Sequence, residues 1–340
     1  MPPRTMRSIC ARALVAVALL GAGAAGAQTA VLYGLLDASA SNVKPVGIDA
    51  HTQQLDNGNL QRSFIGIRGS EDLGGGLRAV FRVESYLRVD TGESGRSAGD
   101  AFWAREASVG LSGSFGTTVL GRTPTPLWLA TTSFNPFGES VGFSPAVRQY
   151  FGGTMLGDSR WNNSISYTNN ARDPLRVVFS ANNDETTPGG SNGHNLGLSV
   201  AYITGPFAAT VVAERVSNSA EPLPPGFDRQ TVLHAAATYD FQFLRVYGQI
   251  GRIKTEATED SRTTSYQLGA AVPFGTSLIL AAYGRQHVSA PTKATTNQIA
   301  SLAYDYFLSK STDIYIAALY EKLSFVSSGN SIAGGVRVKF

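Results

Sequence analysis

The chain has 340 residues, 43% of them hydrophobic, with 28 basic and 25 acidic side chains. Three of the bases, Arg4, Arg7 and Arg12, lie in the first 27 residues, so the rest of the chain is charge-balanced and no nucleic-acid partner follows from net charge. The single cysteine, Cys10, is in that same segment, which leaves the remainder without a disulfide or a thiol metal ligand.

Residues 1–27 read as a secretory signal peptide: a basic start, a short apolar core over Ala13–Leu20, and Ala25-Gly26-Ala27 as a small-x-small cleavage site. One domain, 28–340, would remain. The apolar core is shorter than the about 20 residues a membrane helix needs, and no later segment is long enough.

From there the chain reads as sixteen strand segments: 31–42, 62–71, 77–88, 102–111, 117–122, 161–168, 175–182, 194–203, 207–216, 230–239, 243–254, 262–272, 277–287, 297–306, 312–323 and 331–340. No helical period is sustained, apart from a short turn within 124–158. Polarity alternates along the strands. Leu175, Val177, Phe179 and Ala181 oppose Arg176, Ser180 and Asn182; Tyr266, Leu268, Ala270 and Val272 oppose Ser265, Gln267 and Gly269. The connections sort by length. Short ones fall at 72–76, 112–116, 169–174, 204–206, 240–242, 273–276 and 307–311; longer ones at 43–61, 89–101, 123–160, 183–193, 217–229, 255–261, 288–296 and 324–330. Tight turns at one end and long loops at the other describe an antiparallel transmembrane β-barrel. Lipid offers no hydrogen bonds to an open sheet edge, so the sheet must close.

Two strands carry charge on the parity expected to face the interior: Arg62, Phe64, Gly66 and Arg68 on one, Arg78, Val80, Arg82 and Glu84 on the next. The connection 123–160 is much the longest, and a loop of that length is usually functional. Four prolines stiffen it, and Phe134, Phe137, Phe143, Tyr150 and Phe151 supply apolar anchors for a fold into the lumen. Between 123 and 157 its acid is Glu139 and its base Arg148. The last strand places Gly334, Val336, Val338 and Phe340 on one face, Arg337 and Lys339 on the other.

Several segments resemble the trimeric general diffusion porins of Gram-negative outer membranes, in their beta-proteobacterial branch. Val31-Leu32-Tyr33-Gly34-Leu35-Leu36-Asp37 is similar to the family's first strand, and Gly66-Ile67-Arg68-Gly69-Ser70-Glu71-Asp72-Leu73-Gly74-Gly75-Gly76-Leu77 to its second strand, first turn and third strand. Val109–Gly113, Phe115–Thr117 and Leu120–Arg122 resemble strands four and five, Asn135-Pro136-Phe137-Gly138 the constriction loop, and Leu308–Thr312 the last turn. The resemblance implies an all-β fold, a 16-stranded antiparallel transmembrane barrel with an inward-folded third loop, three copies per assembly, in the outer membrane. It further implies inward arginines at Arg105, Arg122 and Arg160, surrounding lipid and lipopolysaccharide, and insertion by the barrel assembly machinery with Phe340 as assembly signal. The sequence departs from the family pattern at Phe64, which stands in place of a constriction arginine, and at Leu35, a position basic in some relatives. Arg105 and Glu106 are adjacent, so one is expected to point outward.

The expected function is passive diffusion of small hydrophilic solutes and ions. A transverse field would run from Arg82, Arg105, Arg122 and Arg160 to Glu139, with anions preferred because acids are few. No cofactor, metal or catalysis is expected. The four histidines lack metal spacing, there is no G-x-S-x-G, and Gly21–Gly26 mimics a dinucleotide fingerprint only inside the signal segment. The alternatives are a substrate-selective channel, an outer-membrane hydrolase with a histidine at the rim, and a secreted adhesin.

Overall fold

The computed structural model describes residues 29–170, 174–183, 194–217 and 223–340. The signal peptide expected at 1–27, residues 184–193 of the connection expected at 183–193, 171–173 of that expected at 169–174 and 218–222 of that expected at 217–229 lie outside the described residues. Period-2 polarity produces strands β1 (Thr29–Lys44), β2 (Thr52–Asn57), β3 (Phe64–Gly74), β4 (Leu77–Tyr86), β5 (Glu106–Gly113), β6 (Gly116–Pro124), β7 (Arg160–Thr168), β8 (Leu175–Asn183) and β9 (His194–Thr204). They continue with β10 (Phe207–Val216), β11 (Arg229–Asp240), β12 (Arg245–Glu256), β13 (Ser261–Phe274), β14 (Ser277–Ser289), β15 (Ala294–Phe307), β16 (Thr312–Leu323) and β17 (Gly329–Lys339).

Consecutive strands from β3 to β17 pair antiparallel, β17 pairs with β1, and β1 pairs with β3. Leaving out β2, sixteen strands close into a barrel, which removes every edge that lipid could not satisfy. The added strand was not expected. Residues 29–35 of β1 pair with β3 and residues 38–43 with β2, so the first long loop extends the wall beyond the top of β3. At the seam Gly34 N–H donates to Phe340 O at 3.0 Å and Phe340 N–H to Gly34 O at 3.2 Å. The Phe340 ring covers Gly34, where an added Cβ would lie 2.6 Å from the ring.

Burial is inverted relative to a water-soluble fold. Outward Leu268, Val109 and Leu302 are 71%, 60% and 56% exposed, while inward Ser180, Gln267 and Asp313 are buried. An apolar outside and a polar inside suit lipid around a wet lumen.

Three expectations are corrected here. First, β12 ends later, β13–β15 run further and β17 starts earlier than alternation alone indicated, so the connections between β12 and β13, β14 and β15, and β16 and β17 shrink to 257–260, 290–293 and 324–328. The long-loop rule holds for the first half of the chain and fades in the second. Second, the strand expected at 102–111 starts at Glu106, and Ser63, expected outside, is buried with its Oγ donating to Asp37 O at 3.1 Å. Third, the loop between β6 and β7 contains two helices, α1 (Pro126–Ser133) and α2 (Pro145–Phe151), where only a turn was expected.

Candidate pore constriction

Local chemistry sets both helices. Thr125 Oγ1 accepts from Trp128 N–H at 3.1 Å and Pro126 opens α1; Ser144 Oγ accepts from Val147 N–H at 3.3 Å and Pro145 opens α2. Between them Asn135 folds the chain back. Its Nδ2 donates to Thr131 O at 2.7 Å and Gly138 O at 3.0 Å, and its Oδ1 accepts from Phe137 N–H at 2.9 Å. Gly138 takes the turn at φ +54°, which favours glycine.

The barrel wall is built to receive this loop. Five consecutive strands, β10 to β14, each present one inward polar side chain to its backbone. Glu214 accepts from Leu127 N–H at 2.6 Å. Gln230 donates to Thr154 O at 2.9 Å, and Gln249 to Thr131 O at 3.0 Å and Phe134 O at 2.7 Å. Gln267 accepts from Ala146 N–H at 2.7 Å, and Gln286 donates to Gln149 O at 2.8 Å. Backbone groups that could not reach water are thereby satisfied. Wall glycines make the room. A Cβ at Gly251 would lie 1.9 Å from Tyr150 Oη, at Gly269 2.6 Å from Pro136, and at Gly284 2.6 Å from Pro145. Phe137 and Phe143 pack on β13–β17, and Leu127, Tyr150 and Met155 on β10–β12. Phe134 is buried as expected, and Phe151 only partly.

The opposite edge of the loop meets charge. Arg105 lies 2.8 Å from Glu139 Oε2 and 2.8 Å from Glu84 Oε2, with its guanidinium 4.2 Å from the Phe64 ring centre. Glu84 also accepts from Tyr33 Oη. Arg82 reaches Glu106 at 3.3 Å, and Arg148 reaches Glu321 at 2.6 Å. Tyr86 is the hub: Arg62, Arg96, Arg105 and Arg160 stand 5.8, 5.9, 5.6 and 5.5 Å from its ring centre. Arg160 is buried, its other face on Trp128 at 5.0 Å. Arg68 lies over Tyr33 at 4.7 Å, towards the short-turn side. Among the described residues, Arg62, Arg68 and Arg160 have no carboxylate within 4.0 Å.

Asp158, not singled out in the sequence, binds Arg96 at 2.8 Å and Arg122 at 2.9 Å. Burial works to raise its pKa, but the hydrogen bonds and charges of the two arginines overcome this and hold it below the ordinary value. The same contest lowers Glu139: burial opposes, and the Arg105 charge and hydrogen bond, helped by Arg160, prevail.

These contacts revise the expected field. Glu139 touches Arg105 instead of facing it across a gap. Arg122 is not a lumen residue: it sits opposite outward Ala107, and its guanidinium is held by Ala104 O, Asp158 and Asn162. Glu106 does not point outward. It pairs in register with inward Glu84, while Arg105 precedes the strand and turns inward as well, so both neighbours reach the interior. The loop divides the lumen. A cavity of about 370 Å³ on the long-loop side is lined by Arg62, Tyr86, Arg96 and Arg148, and one of about 510 Å³ on the other side by Arg68, Arg82 and Glu106. Tyr86, Arg96, Asp158 and the glutamines escaped sequence reasoning. A signal existed for the last: Gln230, Gln249, Gln267 and Gln286 are spaced by 19, 18 and 19 positions, each on an inward parity.

A closed barrel with a greasy exterior, a polar interior and a loop narrowing the passage defines a transmembrane channel. A family model described as Gram-negative porin matches residues 13–324. Outer membrane porin protein 32 of Delftia acidovorans is 31% identical, covering 96% of this chain and 93% of its own. An outer membrane porin protein of Bordetella pertussis is 25% identical over 96% and 99%. Among solved structures, an anion-selective porin from Comamonas acidovorans superposes with a TM-score of 0.79 at 25% identity, covering 92% of this chain and 100% of that one. The chain belongs to the Gram-negative porin family. It is an outer-membrane β-barrel and a passive diffusion channel, not an enzyme.

Proposed function

We propose that the pore passes small hydrophilic solutes and prefers anions. One observation carries this: Glu84, Glu106, Glu139, Asp158 and Glu321 are each bound by an arginine, whereas Arg62 and Arg68 line the passage with no carboxylate within 4.0 Å among the described residues, and buried Arg160 stands behind them on Tyr86 and Trp128. Fixed positive potential at a narrow, low-dielectric point raises local anion concentration. Arg82, Arg105 and Glu84 shape that wall. Arg148, Glu139 and the turn Asn135-Pro136-Phe137-Gly138 hold the aperture, and Arg122 braces the loop from outside the lumen. The description of the Comamonas relative as anion-selective supports the same sign.

The working unit is a homotrimer in lipid and lipopolysaccharide, inserted by the barrel assembly machinery, with Phe340 as assembly signal and with residues 1–27 removed on export. Wall height supports assembly through one side. Strands β4–β8 have 8 to 10 residues against 12 to 14 for β11–β16. Eight tilted residues rise about 20 Å, short of the ~25 Å apolar band, so that side is better covered by protein than by lipid. The test is reconstitution into a planar bilayer under a salt gradient. Conductance steps closing in threes with an anion-directed reversal potential are expected. Absence of steps defeats the pore, and a cation-directed potential defeats the selectivity alone.

A further inference from the structure

The interior of such a barrel is expected to be polar, and much of this one is: its buried inward positions include Ser166, Ser180, Thr210 and Gln249. One stretch departs. On the short-turn side of the constriction, Val80 of β4 and Val119 of β6 share the inward parity and line the lumen. Register places Gly110 of β5 opposite both, and it bears no side chain. The two valines therefore flank a bare strip, two strand spacings or about 10 Å from one to the other. Leu129 of α1 adds an apolar face from the folded loop, 36% exposed, and Val178 of β8 adds one from the wall. These side chains line the cavity of about 510 Å³.

Charge borders the strip along one row. Arg82 follows Val80 on the inward face and stands opposite Arg68 in register. Arg82 is engaged by Glu106 at 3.3 Å, and Ser108 Oγ donates to Glu106 at 2.9 Å, so the carboxylate lining this cavity already has its partners. Arg68 is exposed, lies over the Tyr33 ring at 4.7 Å and, among the described residues, has no carboxylate within 4.0 Å.

An apolar strip does nothing for a small inorganic ion. Only a solute with a hydrocarbon body releases the water lying against it. Sites for small molecules combine a mainly apolar lining with a few placed polar groups, and a free guanidinium held flat on a tyrosine presents paired donors to a carboxylate. A bare strip between two low ridges suits a planar ring. We propose that this vestibule binds aromatic carboxylates, the ring lying on the strip between Val80 and Val119 and the carboxylate on Arg68. A weak station of this kind, just past the narrow point, loads the pore at low solute concentration and still releases what it holds. The proposal rests on the pore reading and deepens it by naming a class of anion beyond small inorganic ions.

The test is single-channel recording of the native protein in a planar bilayer, in chloride salt, with benzoate, acetate or benzamide added on both sides. Benzoate has ring and charge, acetate the charge alone and benzamide the ring alone. Benzoate is expected to halve the chloride current at a concentration about tenfold below acetate, a gain that burying one ring face supports, while benzamide leaves the current unblocked. The double variant Val80→Thr, Val119→Thr keeps charge and shape but makes the strip polar, and should bring benzoate to within about twofold of acetate. Arg68→Gln should remove the block by benzoate. Equal block by benzoate and acetate overturns the proposal, as does block by benzamide matching that by benzoate, or an unaltered ratio of benzoate to acetate in the double variant. Should that variant fail to fold, the native protein decides through a dihydroxybenzoate, whose polar ring edge must weaken the block; block equal to that by benzoate overturns the proposal. Absence of chloride steps in the native protein would instead strike the pore reading.

Discussion

Arg68 and Arg105 are both inward arginines, yet they do different work. Arg68 stacks on Tyr33 and has no carboxylate partner, so its charge acts on solutes. Arg68→Glu should move the reversal potential towards cations at nearly unchanged conductance, and an unmoved potential would remove it from the filter. Arg105 is buried between Glu84 and Glu139. Its loss leaves charges uncompensated, a change that typically costs about 3–5 kcal/mol, so Arg105→Ala should loosen the loop before it alters selectivity. Acid acts at the same edge. Asp158 and Glu139 have folded pKa values below their ordinary 3.8 and 4.5, so their contribution is complete above those values and is lost as pH falls through the lower folded ones. Open-channel current should be steady at neutral pH and become noisy only below about pH 4; noise already present near pH 6 would contradict this. Parity identified Arg68, Arg82 and Glu84 from sequence because they sit mid-strand. What failed was the expectation that one of the neighbours Arg105 and Glu106 must point outward, because strand ends curl and alternation stops predicting direction there; the resemblance implied inward arginines at Arg105 and Arg122, and only Arg105 turns inward.

At the scale of elements, the third loop is a folded insert. Its length and prolines were legible, and its aromatic anchors were chosen correctly. Its helices were not, because seven or eight residues hold too little of a 3.6 period to register. Nor did the glutamines stand out, since single polar residues on inward parities look like ordinary lumen wall until the loop backbone is seen against them. Each neutral hydrogen bond is worth about 1 kcal/mol. Gln249→Leu with Gln286→Leu should therefore raise mean conductance and its fluctuation while leaving the barrel folded. A current trace identical to the native one would show that packing alone seats the loop. Gly251→Val is expected to act more strongly, because its Cβ would displace the Tyr150 ring.

For the whole molecule, closure is the decisive event. The seam rests on the Gly34–Phe340 backbone pair and on the aromatic ring laid over the glycine. Gly34→Val should prevent that approach and reduce the folded, faster-migrating barrel recovered on unboiled gels, with Phe340→Ala showing a milder loss. Full recovery of both would mean that the seam is held from β1–β17 pairing alone. The number of ring strands was readable because most turns and loops are punctuated by glycine, proline or asparagine, and the others, such as 255–261 and 307–311, by charged and hydroxyl residues. The strand β2 was not, since it completes an edge left open only once β3 is known to stop at Phe64.

The insert that narrows the passage is held differently along its two borders. Where it meets β10–β14 the fastenings are mostly amides and greasy contacts, indifferent to dissolved electrolyte; where it meets Arg105, Arg96 and Arg122 they are ionic. Brine would therefore unfasten one border and leave the other clasped, so that in concentrated media the flap swings about a hinge on the uncharged side instead of falling free.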